Sequence, residues 1–470
     1  MLRLRPADCN AGLVETARIL RLTAAARFRD TLRDVAEFPI LLAECRRSRC
    51  DRTAADRKQQ GLRDRGHRAG NARVATNPAA VREARLKIPC APADDRLDAT
   101  CKALRAQVRE FLRNELSIGG FAPQCDSWLR GFDRAFTRKL GARGWLGMTW
   151  PRRYGGQERS QRERYVVIEE LLAAGAPVAG HWVAERQVGP SILRHGTEEQ
   201  KQGLVPPIAR GESIFGACYS EPDVGSDLAS VKARAVRIDG GWKITGTKVW
   251  TSQGHNADHL FVLCRTSDGA GVKHRGLSML IVAMPAKGLA VRPIRLLTGE
   301  HHFNEMVFDG VEVPDSMVLG GEGEGWNIVT GDLASERSGP ERFMSTLPLL
   351  GEMIRKARAT PADARAEIVI GELVSRFWTL RSMSIGVAAL MEQGHQPGVE
   401  AALVKDLGTR FEGDVAQAAR LLYPMVPSLD SDERFENFAA QAILHTPAYT
   451  LRGGTNEVLR GIIARGLGLR

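Results

Sequence analysis

The sequence predicts an α+β multidomain protein: a helical domain, then antiparallel strands forming a small barrel or sandwich, then a second helical domain. Three observations carry this reading. Apolar residues recur with helical period from about residue 95, the period switches to two after Gly211, and the helical period returns beyond the glycine-rich "VLGGEGEGW". A chain of 470 residues accommodates roughly three domains, and 43% hydrophobic residues is enough for substantial cores.

The first helical domain is expected over residues 95–212. In "DDRLDATCKALRAQVREFLRNEL", Leu97, Cys101, Leu104, Val108, Phe111 and Leu112 fall on one helical face, with acids at the start where the helix dipole favours them. "DSWLRGFDRAFTRKLGARG" and "QRERYVVIEELLAAG" continue the pattern, and in "GTEEQKQGL" Thr197 and Gln200 stand at capping-box spacing. The strand domain is expected over 213–319. There "VKARAVRIDGGWKITGTKVWTS" alternates about an Asp239-Gly240 turn as a hairpin does, and "HLFVLCRTS", "GLSMLIVAM", "AVRPIRLL" and "NEMVFDGVEVP" read as further strands between Gly, Pro and Asp punctuation. Residues 320–470 form the second helical domain. The glycines of "GGEGEGW" do not match GxGxxG and no βαβ unit follows them, so a Rossmann nucleotide site is not expected.

The net charge of +11 is uneven. Residues 1–90 hold 20 Lys+Arg and 10 Asp+Glu, a balance of +10, leaving 66−20 = 46 basic and 55−10 = 45 acidic residues elsewhere. Residues 1–94 therefore read as a basic, poorly ordered extension; lacking interleaved aromatic residues it does not resemble a base-stacking surface, so no nucleic-acid partner is expected. Its acids argue against a transit peptide, and neither a membrane span nor a signal-peptide apolar region is read in the chain. The eight cysteines form no CxxC pair and read as reduced thiols of a cytoplasmic protein. His255/His259 and His301/His302 have no HExxH context, so no metal site is expected.

The chain closes with "LRGGTNEVLRGIIARGLGLR". Adjacent Gly453 and Gly454 cost backbone entropy, which is kept where positive φ or close approach to bare backbone is needed, and Thr455 is a good N-cap for the helix that follows. These residues alone suit a capped surface helix or an anion site at a helix N-terminus.

Four motifs in this order, "YSEPDVGSD" (219–227), "GTKVWTS" (246–252), "FNEMVFDGVEVP" (303–314) and the closing "RGGTNEVLRGIIARGLGL", resemble the acyl-CoA dehydrogenase family over residues 95–470. The resemblance implies a C-terminal four-helix bundle, FAD as cofactor, an acyl-CoA substrate in lipid metabolism such as fatty-acid β-oxidation, and electron-transfer flavoprotein as acceptor. It places Tyr219 and Ser220 at the flavin, Gly225 and Ser226 on the loop beside flavin and CoA, and Trp250, Thr251 and Ser252 against the flavin ring. Gly453 would give its N–H to the thioester carbonyl, with Gly454, Thr455 and Glu457 near the cofactor.

Many members carry the catalytic glutamate where this chain has Gly453, and glycine cannot take a proton. Other branches place it at a position matching Glu336 of "LASERSGPERF", which the resemblance makes the base, with Arg337 at the substrate and Glu341 a second choice. Two departures stand out. The usual Arg-x-x-Phe-Gly arm is replaced by "RKARATPADARAEIVIG", and the usual Gln-x-x-Gly-Gly-x-Gly segment by "LLYPMVPSLDSDERFENF". Both point away from a symmetric homo-oligomer with FAD in each subunit and toward branches that assemble as heteromers on bulky acyl groups. A non-catalytic half-site subunit and a flavin oxidase or monooxygenase on the same fold are the alternatives.

Overall fold

The computed structural model describes residues 97–359 and 363–469, with side chains throughout except at 332–336. The expected N-terminal extension lies outside the described residues.

Asp98 caps α1 (Ala99–Ser117) by accepting the Cys101 N–H at 2.8 Å, and the helix buries Cys101, Leu104, Val108, Phe111 and Leu112, the face its period selects. Short helices α2 (Ser127–Arg130) and α3 (Arg134–Ala142) follow, then α4 (Gln161–Ala173), which opens with a Ser160/Glu163 capping box that the sequence reading passed over. α5 (Ala179–Val183) runs through the π-helical turn Ala184–Val188 into α6 (Gly189–His195), and α7 (Glu198–Ala209) begins with the capping box expected at Thr197 and Gln200.

Eight strands form one sheet: β1 (Phe215–Cys218), β2 (Arg234–Ile238), β3 (Gly241–Ser252), β4 (His259–Arg265), β5 (Leu277–Ala283), β6 (Leu289–Arg295), β7 (His301–Pro314) and β8 (Val318–Leu319). The order is β6-β7-β3-β2-β4-β5-β8, with β1 beside β4. The β2–β3 hairpin turns at Asp239-Gly240 as expected, with Ile238 facing Gly241. Pairing is antiparallel except where β1 runs parallel to β4 and β2 touches β4 at Arg234 and Arg265. One face packs Phe261, Leu263, Met279 and Ile281 against Val188, Ile192 and Val205 of the first domain, while Trp242, Ile244, Val262, Leu280 and Phe308 form a second core.

The last domain begins with α8 (Gly325–Glu336). Its four-helix bundle is α9 (Leu347–Ala359), α10 (Ala364–Glu392), α11 (Gly398–Leu422) and α12 (Arg434–Tyr449), and α13 (Asn456–Gly466) packs on α11. Phe343, Leu349, Phe377 and Phe411 join Leu104, Phe111 and Leu140 in one continuous core, so the two helical domains share an interior. Among the described residues no helix is long and apolar enough to cross a membrane.

All three domains contribute to a buried polar knot. Asp126, in the left-handed region at φ 55°, accepts from Arg452 at 2.6 Å and binds His445 Nδ1 at 2.9 Å. His445 Nε2 lies 3.4 Å from Glu300, which also holds His302 at 3.1 Å and pairs with Arg130. Burial alone would raise both carboxyls; Arg452 and His445 hold Asp126 well below the usual range, and His302, His445 and Arg130 do the same for Glu300. Burial alone would lower His445, but its bonds to Asp126 and Glu300 raise it. The stabilisation from charged His445 is therefore complete below the unfolded value of about 6.5 and fades as pH rises through the raised folded value. The gap in unfolding free energy between wild type and His445→Gln, measured by urea titration, is expected to be widest at about pH 5–6 and to narrow above neutrality. A gap constant with pH would mean that His445 has the same pKa folded and unfolded, and a gap that widens as pH rises would mean that the fold holds it neutral.

Candidate active site

The glycine turn between α12 and α13 adopts the positive φ angles its composition anticipates, +69° at Gly453 and +91° at Gly454. Thr455 then caps α13 by accepting from the Val458 N–H. The turn's carbonyl side is occupied: Arg337 Nε donates to Gly453 O at 3.3 Å, and Lys405 Nζ donates to Gly454 O and Asn456 Oδ1, both at 2.7 Å, and to Thr450 O at 3.3 Å. Among the described residues nothing accepts from the N–H groups of Gly453, Gly454 or Thr455. Successive free N–H groups at a helix start form a nest for an oxygen that carries or develops negative charge.

Bulky side chains close in on this turn. A Cβ at Gly453 would stand 3.0 Å from the guanidinium of Arg342, which is buried over the rings of Trp128 and Trp182 at 5.2 and 5.5 Å. Trp128 and Trp182 lie 4.7 Å apart, and Arg452, immediately before the turn, sits 4.2 Å over Trp128. Burial and the neighbouring guanidiniums of Arg342 and Arg452 bring the Lys405 ammonium down to about 7. Burial also pushes Glu412 up to about 7, although it accepts the Ser345 N–H at 2.8 Å and faces Arg452.

The strand-borne candidates form a second group. Lys248 Nζ donates to Tyr219 O at 3.1 Å and to Glu221 at 2.8 Å, while Glu221 accepts the N–H groups of Lys232 and Ala233 at 2.7 and 2.8 Å. This buried pair shapes the "YSEPDVGSD" loop, and the Val249 N–H bonds Ser220 O at 2.9 Å, tying it to the strand that carries Trp250. Trp250 has φ +62° and stays 55% exposed, edge-on to Phe303 with ring centres 5.7 Å apart. A non-glycine residue at such φ is strained and is retained where its side chain must take a set direction. Ser220 and Ser252 are half-buried, Gly225 and Ser226 are exposed, and Thr251 turns its hydroxyl inward to Cys218 Sγ at 3.4 Å. Trp250 thus offers an exposed aromatic face with the half-buried Ser252 close by in the chain, which would suit a flat cofactor ring, and the turn's N–H donors stand on another element.

Gly453, Gly454, Thr455 and Arg337 thus share one place, whereas Trp250 stands with Phe303, which packs against the core shared by the helical domains. Glu336 ends α8 directly before Arg337, and its side chain lies outside the described residues. Glu341 is buried against Arg186. Glu457 is exposed in the first turn of α13. The sequence reading missed Lys405, Arg342, Trp128 and Trp182. For Lys405 a signal existed: Lys405, Thr409 and Glu412 recur at i, i+4 and i+7 among Ala401, Ala402, Gly408 and Val415, a polar line inside an apolar face. Among the described residues no cluster of three or more His, Cys, Asp or Glu is arranged to hold a metal ion.

Three family profiles match the chain: acyl-CoA dehydrogenase N-terminal domain at residues 98–212, middle domain at 216–311 and C-terminal domain at 323–468. The acyl-CoA dehydrogenase IpdE1 of Mycobacterium tuberculosis is 34% identical over 385 residues, covering 78% of this chain and 97% of that protein. The acyl-CoA dehydrogenase FadE34 of the same organism is 36% identical over 332 residues, 69% of this chain, which spans 44% of that longer protein. Among solved structures, one described as the Tcur3481-Tcur3483 steroid ACAD superposes with a TM-score of 0.70 at 31% identity, covering 80% of this chain and 99% of that one.

Gly453→Ala places a methyl group in a left-handed residue against Arg342. It is expected to cost about 1–2 kcal/mol of folding stability from backbone strain alone, read as a lowered unfolding midpoint. An unchanged midpoint would show that the turn can relax out of positive φ.

Proposed function

The chain belongs to the acyl-CoA dehydrogenase family of FAD-dependent oxidoreductases, and on that premise we propose that it oxidises a CoA thioester between C2 and C3 to the 2-enoyl-CoA, with Glu336 as the base. The observation that carries this reading is the meeting of the α8 end with the glycine turn: Arg337, the residue after Glu336, bonds Gly453 O at 3.3 Å. The α8 end that carries Glu336 is therefore a neighbour of the turn that carries the three N–H donors, which supports the reading.

Each residue then has a task. The N–H groups of Gly453, Gly454 and Thr455 receive the thioester carbonyl oxygen and stabilise the charge that builds on it as the C2 proton leaves. The Glu336 carboxylate takes that proton, and exclusion of water raises its basicity toward what the step needs. Trp128, Trp182 and Phe303 wall the acyl side against water, while Trp250 and Ser252 orient the cofactor and Ser220 and Ser226 contact its polar rim and the CoA. FAD, when bound, would supply the redox chemistry as acceptor of the C3 hydrogen and its electron pair. Electron-transfer flavoprotein is the acceptor in this scheme, and the free, buried Cys101, Cys125, Cys218 and Cys264 support a reducing compartment, the cytoplasm.

The loss of the Arg-x-x-Phe-Gly and Gln-x-x-Gly-Gly-x-Gly segments favours a heteromer in which a second dehydrogenase-like chain completes the FAD site. The steroid enzyme it superposes on is named for two proteins, which supports the same reading, with a bulky polycyclic acyl group as substrate. Under this reading the protein purified alone holds much less than one FAD per chain by visible absorbance, and co-expression with its partner restores it; full occupancy in the isolated chain would reject the heteromer.

Glu336→Gln in the FAD-loaded assembly is expected to lower the rate of flavin bleaching by acyl-CoA by about 10²–10⁴-fold with substrate affinity retained. An unchanged rate would transfer catalysis to the partner and leave this chain a half-site.

A further inference from the structure

Two long side chains, Arg337 and Lys405, hold the carbonyl side of the glycine turn. In a trans peptide the C=O and N–H point to opposite sides. The carbonyl of Gly453 belongs to the same peptide unit as the Gly454 N–H, and the carbonyl of Gly454 to that of the Thr455 N–H. Arg337 Nε donates to the first carbonyl and Lys405 Nζ to the second, at 3.3 and 2.7 Å. Each peptide thus has a donor on its oxygen, a guanidinium on the first and on the second a lysine whose ammonium form a developing negative charge on the far side of the peptide would favour, and an N–H that no described residue uses. A donor on the oxygen polarises the amide and strengthens the N–H as a donor in turn, an effect enlarged where water is excluded.

The mounting is rigid. Lys405 is fully buried, and its other two bonds go to Thr450 O and Asn456 Oδ1, the latter also held by Thr409 at 3.2 Å. Asn456 Nδ2 donates to Asp406 O at 3.3 Å, and Arg460 pairs with Asp406. One turn of α11 therefore grips the turn's carbonyls and the start of α13.

We propose that Lys405 and Arg337 are positioning residues for the reaction. Anchored on the carbonyls of Gly453 and Gly454, they fix and polarise the N–H groups of Gly454 and Thr455 so that these stabilise a thioester oxygen as it becomes an enolate oxygen. The inference rests on the thioester reading above and adds a source of that stabilisation outside the substrate's own contacts.

The test measures the acidity of a bound ligand rather than turnover. Acetoacetyl-CoA, a small 1,3-dicarbonyl thioester, is titrated with pH in the FAD-loaded protein with any partner that copurifies, and its enolate is followed by near-ultraviolet absorbance; CoA, which lacks the carbonyl, is the control. Wild type is expected to bind acetoacetyl-CoA with its enolate favoured. Lys405→Gln and Arg337→Gln, which keep a donor and lose the charge, are each expected to raise the bound ligand's apparent pKa by about one unit, a tenfold loss of enolate preference, with CoA affinity unchanged. Two positions are tested, so a folding defect at one leaves the other to decide. Wild-type enolate acidity in the variants, or a parallel loss of CoA and acetoacetyl-CoA affinity, overturns the proposal. A wild-type protein that binds acetoacetyl-CoA without favouring its enolate overturns it while leaving the thioester reading intact, whereas one that binds neither CoA nor acetoacetyl-CoA removes that reading and the inference together.

Discussion

The ion pair between Asp126 and Arg452 is the contact on which the arrangement depends. Its two residues are separated by 326 positions, and its members are almost wholly withdrawn from water. A buried carboxylate without its partner is strongly disfavoured, so each charge compels the segment carrying the other to dock. His445 and Glu300 extend the constraint to the bundle and the sheet. The consequence at the site is direct: Arg452 precedes Gly453, so fixing its guanidinium over Trp128 fixes where the glycine turn begins.

What could be read from the sequence was local. The α1 stripe, the Thr197/Gln200 box, the Asp239-Gly240 hairpin and the glycine turn are each decided by residues within a few positions of one another, where periodicity and turn chemistry operate. The parallel placement of β1 beside β4 was not legible, because parallel pairing depends on a crossover and leaves no turn signature. The ion pairs that hold the site were equally silent. An aspartate at 126 and an arginine at 452 look like solvated charges until the fold removes their water, and Trp128 reads as ordinary core until a guanidinium stands over it.

The polar line on α11 shows why such residues are hard to assign in advance. Lys405, Thr409 and Glu412 occupy positions that an apolar residue would fill with less desolvation cost, yet each is buried. Their partners explain the retention. Lys405 meets backbone carbonyls of the turn, Thr409 meets Asn456, and Glu412 meets the Ser345 N–H. Irregular backbone inside a protein leaves carbonyls and amides that the helices around it cannot satisfy, and a helix passing beneath such a turn satisfies them with long side chains. The burial of charge here follows from the need for an exposed-donor turn at the heart of the molecule.

The same logic bears on where the base can be. At Gly453 the backbone stands in the left-handed region, and a Cβ there would stand only 3.0 Å from the guanidinium of Arg342, itself held over two tryptophan rings. A glutamate there would have to strain its backbone and displace or pair with that cation, and a carboxylate paired to arginine is a weakened base. Glycine at 453 and arginine at 342 therefore belong together: the first gives up its side chain, and the second fills the space with positive charge beside the N–H nest. A carboxylate at 453 would therefore meet both a strained backbone and a guanidinium, while α8 reaches the same turn from another element through the bond of Arg337 to Gly453 O.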